Sequence, residues 1–170
     1  MERRSFLKKA GVAAGAGVLA ACTGKSEGSA ASAGGGEKIQ WTLASSFPKN
    51  LDTIFGAAEV FAKRVSELSG GNFVISVKAA GEIVPGPEVL NAVQNKTVQM
   101  GHTASYYWKG KDINTLPFTS MPFGLTSPEQ YAWFYHGGGM ELMKKVYDKH
   151  GVLSFPGGST GVQMGGWFKK

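Results

Sequence analysis

The chain has one cysteine in 170 residues, Cys22, and none after it. The body of the protein therefore has no internal disulfide, no cysteine nucleophile and no thiolate metal site. Histidine is almost as scarce. His102, His136 and His150 lie too far apart in sequence to form a His-x-x-x-His ligand pair. No Gly-x-Ser-x-Gly nucleophile turn occurs. Gly157-Gly158-Ser159-Thr160-Gly161 is glycine-rich but lacks the Gly-Lys-Ser/Thr ending of a phosphate loop. Glu82 and Glu88 flank a proline-rich turn and are expected to be solvated turn residues, not an acid–base pair. No Lys/Arg-rich run stands in the body, so the net charge of +6 does not point to nucleic acid. Nothing in this inventory supports catalysis, and the chain is expected not to be an enzyme.

Half of that net charge sits in the first 21 residues, where Arg3, Arg4, Lys8 and Lys9 oppose Glu2. A weakly apolar run, Ala10 to Ala21, follows them and is too short to span a bilayer. A basic patch followed by such a run is an export signal. The paired arginines with Phe6 resemble a twin-arginine leader. Leu19-Ala20-Ala21-Cys22 resembles a lipobox, which makes Cys22 the expected site of lipidation and membrane anchorage. Residues 1–21 are thus assigned to the leader. Residues 22–38, rich in Gly, Ser and Ala, are assigned to a flexible tether, because they offer too little apolar surface to offset the entropy of ordering.

From Ile39 onward the pattern changes. Ile39 to Ala44 alternates and predicts a strand. Asp52 to Leu68 predicts an amphipathic helix with Ile54, Phe55, Ala58, Phe61, Ala62, Val65 and Leu68 on its apolar face, stopped by Gly70-Gly71. Phe73 to Lys78 predicts a strand, Glu88 to Asn95 a short helix, and Val98 to Ala104 a strand containing Gly101. A glycine inside a strand marks close approach of a ligand or another backbone. Helices are expected from Ser127, as capping residue, to Tyr135, and from Met140 to His150. Strands are expected at Val152 to Phe155 and Gly161 to Phe168. Strands separated by helices imply an α/β fold, a mainly parallel sheet covered on both faces.

Ligands in such sheets bind beyond the carboxyl ends of the strands. That rule selects Ser45 to Lys49, Ser105 to Lys111, and Gly157 to Gln163. Tyr106-Tyr107-Trp108 is the densest aromatic cluster, and three consecutive aromatics cannot all face one core. A tyrosine at a cleft supplies an apolar wall and a hydroxyl donor, which suits a small polar ligand. His102, at a strand end, is expected to be a hydrogen-bonded core histidine.

The body resembles the solute-binding subunits of tripartite ATP-independent periplasmic (TRAP) transporters, within them the branch that binds 2-oxo acids such as pyruvate. The segments that carry the resemblance are Trp41 to Lys49, Ala80 to Gly86, Gly101-His102-Thr103 with Tyr106-Tyr107-Trp108, Gly137-Gly138-Gly139, and Thr160 to Phe168. The resemblance implies a periplasmic-binding-protein-like fold of two α/β lobes, with residues 39–170 forming the N-terminal lobe and the start of the connection between lobes. It implies capture of a small carboxylate with a bound sodium or calcium ion, and delivery to the membrane subunits of the transporter from the periplasmic side. It assigns Gln163 to both cation and ligand, Tyr107 and then Tyr106 to the ligand, and Phe47 to the pocket wall. Relatives commonly carry Asn at the position of Ser159, which leaves the role of that residue open.

Family members run to roughly twice this length. The arginine that pairs with the ligand carboxylate, and the acidic residue and tryptophan that complete the cation site, lie beyond Phe168-Lys169-Lys170 in the family. The chain is thus expected to be truncated, or a fragment of a longer product. Two other readings stay open on the residues alone: an exported lipoprotein enzyme whose catalytic half is missing, and a scaffold lipoprotein.

Overall fold

A computed structural model describes residues 37–169 apart from 120, 162–165 and 167. Among the described residues three strands form the sheet: β1 (Ile39–Ser45), β2 (Phe73–Lys78) and β3 (Met100–His102). The sheet is parallel in the order β2-β1-β3, with β1 in the middle. Between β1 and β2 runs helix α1 (Asp52–Leu68), and before β3 comes α2 (Val89–Gln94), entered through a 3₁₀ turn at Gly86–Glu88. Helices α3 (Ser127–His136) and α4 (Gly139–Asp148) follow.

Side-chain alternation along β1 explains how both faces are covered. Leu43 points to one face, where it meets Ala58 and Ala62 of α1 and Ile75 of β2. Ala44 points to the other, where it meets Val89 and Ala92 of α2 and Val98. A third apolar cluster lies in the helical segment: Phe118, Phe134, Met143, Val146 and Tyr147.

Several sequence expectations need correction. Phe61 and Leu68 lie on the predicted apolar face of α1 but are exposed; burial is confined to Ile54, Phe55, Ala58 and Ala62. The third strand is three residues long, not seven, because Val98 packs under α2 before pairing with β1 begins. Gly101 is needed for packing. A Cβ there would stand 2.7 Å from Val89 Cγ1, so α2 is the close neighbour. Helix α3 is capped by Thr126, not Ser127. The Glu129 carboxylate accepts from the Thr126 N–H at 2.8 Å, completing a capping box. Val152 to Phe155 is not a strand; it runs without sheet pairing. The strand expected at Gly161 to Phe168 falls largely outside the described residues, as do the leader, Cys22 and most of the tether.

Candidate functional site

Parallel register decides which groups meet at the top of the sheet. Ser45 pairs with His102 and Ala44 with Gly101. Paired residues project to the same face, and Ser45 Oγ stands 3.2 Å from His102 Nδ1. Ser45 is 1% exposed, so its hydroxyl has no recourse to water. The Phe47 N–H donates to the same oxygen at 3.1 Å, which turns the chain sharply after β1 and brings the Phe47 ring over the sheet end. That ring lies edge-on to the His102 imidazole, centroids 5.2 Å apart. Ser46, on the opposite face, donates to the Gly86 carbonyl at 2.7 Å. It also bonds Thr103 Oγ1 at 2.6 Å, tying the loops after β1 and β3 together.

The aromatic cluster after β3 forms a single 3₁₀ turn, Ser105–Trp108. Its ends are buried and its middle is exposed. Trp108 donates Nε1–H to the Pro87 carbonyl at 3.2 Å, and Ser105 accepts the Tyr147 hydroxyl at 2.8 Å. Pinned at both ends, the turn presents Tyr106 and Tyr107 outward, their rings edge-to-face at 4.8 Å. Tyr107 also lies 6.5 Å from Phe47, ring to ring. Partial burial, with the bond to Tyr106, raises the Tyr107 pKa above the ordinary phenol value. Its hydroxyl is therefore protonated at neutral pH and able to donate.

The third predicted loop closes the group. A Cβ on Gly157 would lie 3.4 Å from the His102 ring, and one on Gly158 would lie 3.3 Å from Ala57 and Ile54 of α1. The strap at 157–158 thus runs between β3 and α1. Beyond it, Ser159 Oγ shares a hydrogen bond of 2.8 Å with Ser127 Oγ. Phe47, Tyr106 and Tyr107 come together as the loop rule requires, and the strap reaches the same place. Gln163 lies outside the described residues.

Ser45 and Ser46 fall in the first loop the sequence selected, and His102 is the buried, hydrogen-bonded histidine it predicts; Thr103 was not singled out for the site. Its signal was present in the sequence: a small polar residue at the carboxyl end of a parallel strand. What the sequence lacked was the register that pairs Ser45 with His102. Burial lowers the His102 pKa from its usual value, and the Gly157 backbone opposes this in part. Glu82 and Glu88 are exposed turn residues: Glu82 pairs with Lys49 at 2.8 Å, and Glu88 accepts from Asn91. Among the described residues no three His, Cys, Asp or Glu side chains gather as a metal site, and no helix is long and apolar enough to cross a membrane. The polar groups at the strand ends are the Ser45, Ser46 and Thr103 hydroxyls with the His102 imidazole, and they bond to one another and to the Gly86 carbonyl.

Comparison with known proteins supplies the family. The chain is 48% identical over its whole length to a monocarboxylate 2-oxoacid-binding periplasmic protein of Nostoc sp., of which it covers 46%. A TRAP periplasmic solute-binding protein of Pseudoalteromonas atlantica, solved with sodium and pyruvate, is 55% identical with a TM-score of 0.74; the match covers 79% of this chain and 41% of that one. Another from Colwellia psychrerythraea, solved with calcium and pyruvate, is 50% identical with a TM-score of 0.76, covering 79% and 41%. The chain spans about half the length of the relatives it matches. The family model for DctP covers residues 44–170, from the end of the central strand through the aromatic turn and the strap, and the chain belongs to that family, the bacterial extracellular solute-binding proteins, family 7.

Proposed function

We propose that this chain supplies the N-terminal half of a carboxylate-capturing site in a TRAP transporter. The ligand is a small 2-oxo acid of the pyruvate class, held with a sodium or calcium ion. Tyr107 donates its hydroxyl to the ligand, Tyr106 buttresses it, and Phe47 forms the apolar wall. Gln163 serves both guests, its amide oxygen toward the cation and its N–H toward the carboxylate. When bound, the cation neutralises the ligand's charge, which matters because the groups described at this site are uncharged. The observation that carries this reading is the convergence of Phe47, Tyr106 and Tyr107 at adjacent strand ends, with rings 4.8 to 6.5 Å apart. The pyruvate seen in the two solved relatives supports the choice of ligand.

The captured solute passes to the membrane subunits of the transporter, and the protein performs no chemistry on it. The protein works in the periplasm. Its leader, residues 1–21, carries Arg3 and Arg4 for export, and Cys22 takes the lipid that anchors residues 39–170 through the tether. A single acyl chain holds only marginally, so lasting anchorage requires more than one.

Calorimetry on the protein expressed from its own gene tests the ligand. Pyruvate should bind with sodium or calcium present and bind weakly once the cation is chelated or replaced. Equal affinity for a neutral analogue of pyruvate would overturn the carboxylate reading. Fractionation of a Cys22→Ala strain tests the anchor: the protein should leave the membrane fraction.

A further inference from the structure

The bonds around His102 leave room for one arrangement of protons. Ser45 Oγ already accepts the Phe47 N–H at 3.1 Å. Its own hydrogen then has one acceptor at hand, His102 Nδ1 at 3.2 Å. A nitrogen that accepts carries no proton, so the ring proton must sit on Nε2. The other side of the ring agrees independently. The Nε2 edge faces the strap, where a Cβ on Gly157 would lie 3.8 Å from Nε2, and the Gly157 backbone favours the protonated ring, as a carbonyl near that edge would. A backbone carbonyl accepts only from a protonated nitrogen.

We propose that His102, as the neutral Nε2–H tautomer, is the positioning residue of the site. It relays one directed chain of bonds: Phe47 N–H to Ser45, Ser45 O–H to Nδ1, Nε2–H to the strap at Gly157. Three segments distant in sequence are thereby locked in register: the turn that carries Phe47, the end of β3 two residues before Ala104 and the aromatic turn, and the strap. The strap matters most, because the chain reaches Gln163 two residues after Gly161. No titratable side chain other than His102 takes part. Phe47 lies edge-on to the imidazole, and the α1 residues against the strap, Ile54 and Ala57, are apolar. The inference rests on the carboxylate reading only for what the strap serves; the clasp itself is a property of the unliganded protein.

Two variants separate the bonds. In His102→Gln the side-chain amide nitrogen falls near the position of Nε2 and keeps a donor for Gly157. In His102→Asn the amide falls near Nδ1, keeping a partner for Ser45 and losing the strap. Nitrogen-15 NMR of the wild-type ring should show Nδ1 as the unprotonated nitrogen and Nε2 as the protonated one. Hydrogen exchange should show the amides of Gly158 to Gly161 at least tenfold faster in His102→Asn than in wild type, and close to wild type in His102→Gln. Pyruvate affinity should follow the same order. A predominant Nδ1–H tautomer would overturn the proposal, and this measurement needs no variant to fold. Equal exchange in the Asn and Gln variants would overturn it as well. If exchange separates the variants while no form binds pyruvate, the clasp stands and the ligand assignment falls.

Discussion

Tyr147 on α4 donates its hydroxyl to Ser105 Oγ at 2.8 Å, although the two residues stand 42 positions apart. Both are buried, and the bond joins the helical segment to the first residue of the turn that displays Tyr106 and Tyr107. Burial raises the Tyr147 pKa, so the phenol remains a donor at any pH where the protein works. Removing the hydroxyl in Tyr147→Phe should cost about 0.5–1.5 kcal/mol of stability. A double-mutant cycle with Ser105→Ala should return a coupling energy of similar size. Additive losses would show that the two groups do not depend on one another.

Gly101→Ala should destabilise the protein by about 1–3 kcal/mol, because the new methyl meets Val89 Cγ1 at 2.7 Å and Val93 Cγ2 at 3.1 Å. The displaced element is α2, which packs on β3 and on Ala44. Urea denaturation measures the loss, and Val89→Ala in the same chain should recover part of it. A neutral Gly101→Ala would mean that α2 floats on the sheet.

Acid should weaken the fold through His102. Its folded pKa lies below the unfolded value of about 6.5, with burial the first cause. The unfolded chain therefore binds more protons across that window, and stability grows with pH there. The contribution is complete above about pH 6.5 and is lost as pH falls through the folded pKa. Melting temperature should drop between neutral and mildly acid pH in wild type and flatten in His102→Gln. Asp112 does not confuse the readout. Bonds from the Asn114 backbone and side chain, and from His150, hold its carboxyl below the usual range, so its own loss comes at more acid pH.

Gln163→Ala should weaken both cation and carboxylate binding, by about 1–3 kcal/mol for the partner left unpaired. Tyr107→Phe keeps the ring and should weaken the carboxylate alone, by about 1 kcal/mol. Titrations with and without sodium or calcium separate the two. Unchanged affinity in Gln163→Ala at an unchanged melting temperature would remove Gln163 from the site.

Local periodicity carried the long elements. Asp52–Leu68 and Phe73–Lys78 were legible to the residue because glycines and polar pairs punctuate strong apolar repeats. Val98 to Ala104 misled because alternation marks a half-buried extended chain, whether or not a partner strand lies beside it. Val152 to Phe155 misled for the same reason: its apolar residues suggested a strand, yet Leu153 and Phe155 are exposed. The tyrosines stood out as an aromatic cluster at a loop position, whereas Phe47 was assigned only by the family resemblance; the structure brings the three rings together. Ser45 at a loop position and His102 as a bonded core histidine were legible too, but their meeting was not, because it depends on a register that only the folded sheet sets.

The central place of β1 also sets an order in time. Its partner β2 follows within one helix, whereas β3 pairs with it across 57 residues at Ser45 and His102. Closing the longer loop costs more entropy before any contact rewards it. The β1-α1-β2 unit is thus expected to form first, and the rim made by Phe47, His102 and the strap after it. Rim substitutions should chiefly speed unfolding, while changes at Leu43 or Ala58 should slow folding, a split that stopped-flow kinetics resolves. Selection can then alter the rim to suit a new ligand without disturbing the step on which folding of the chain depends.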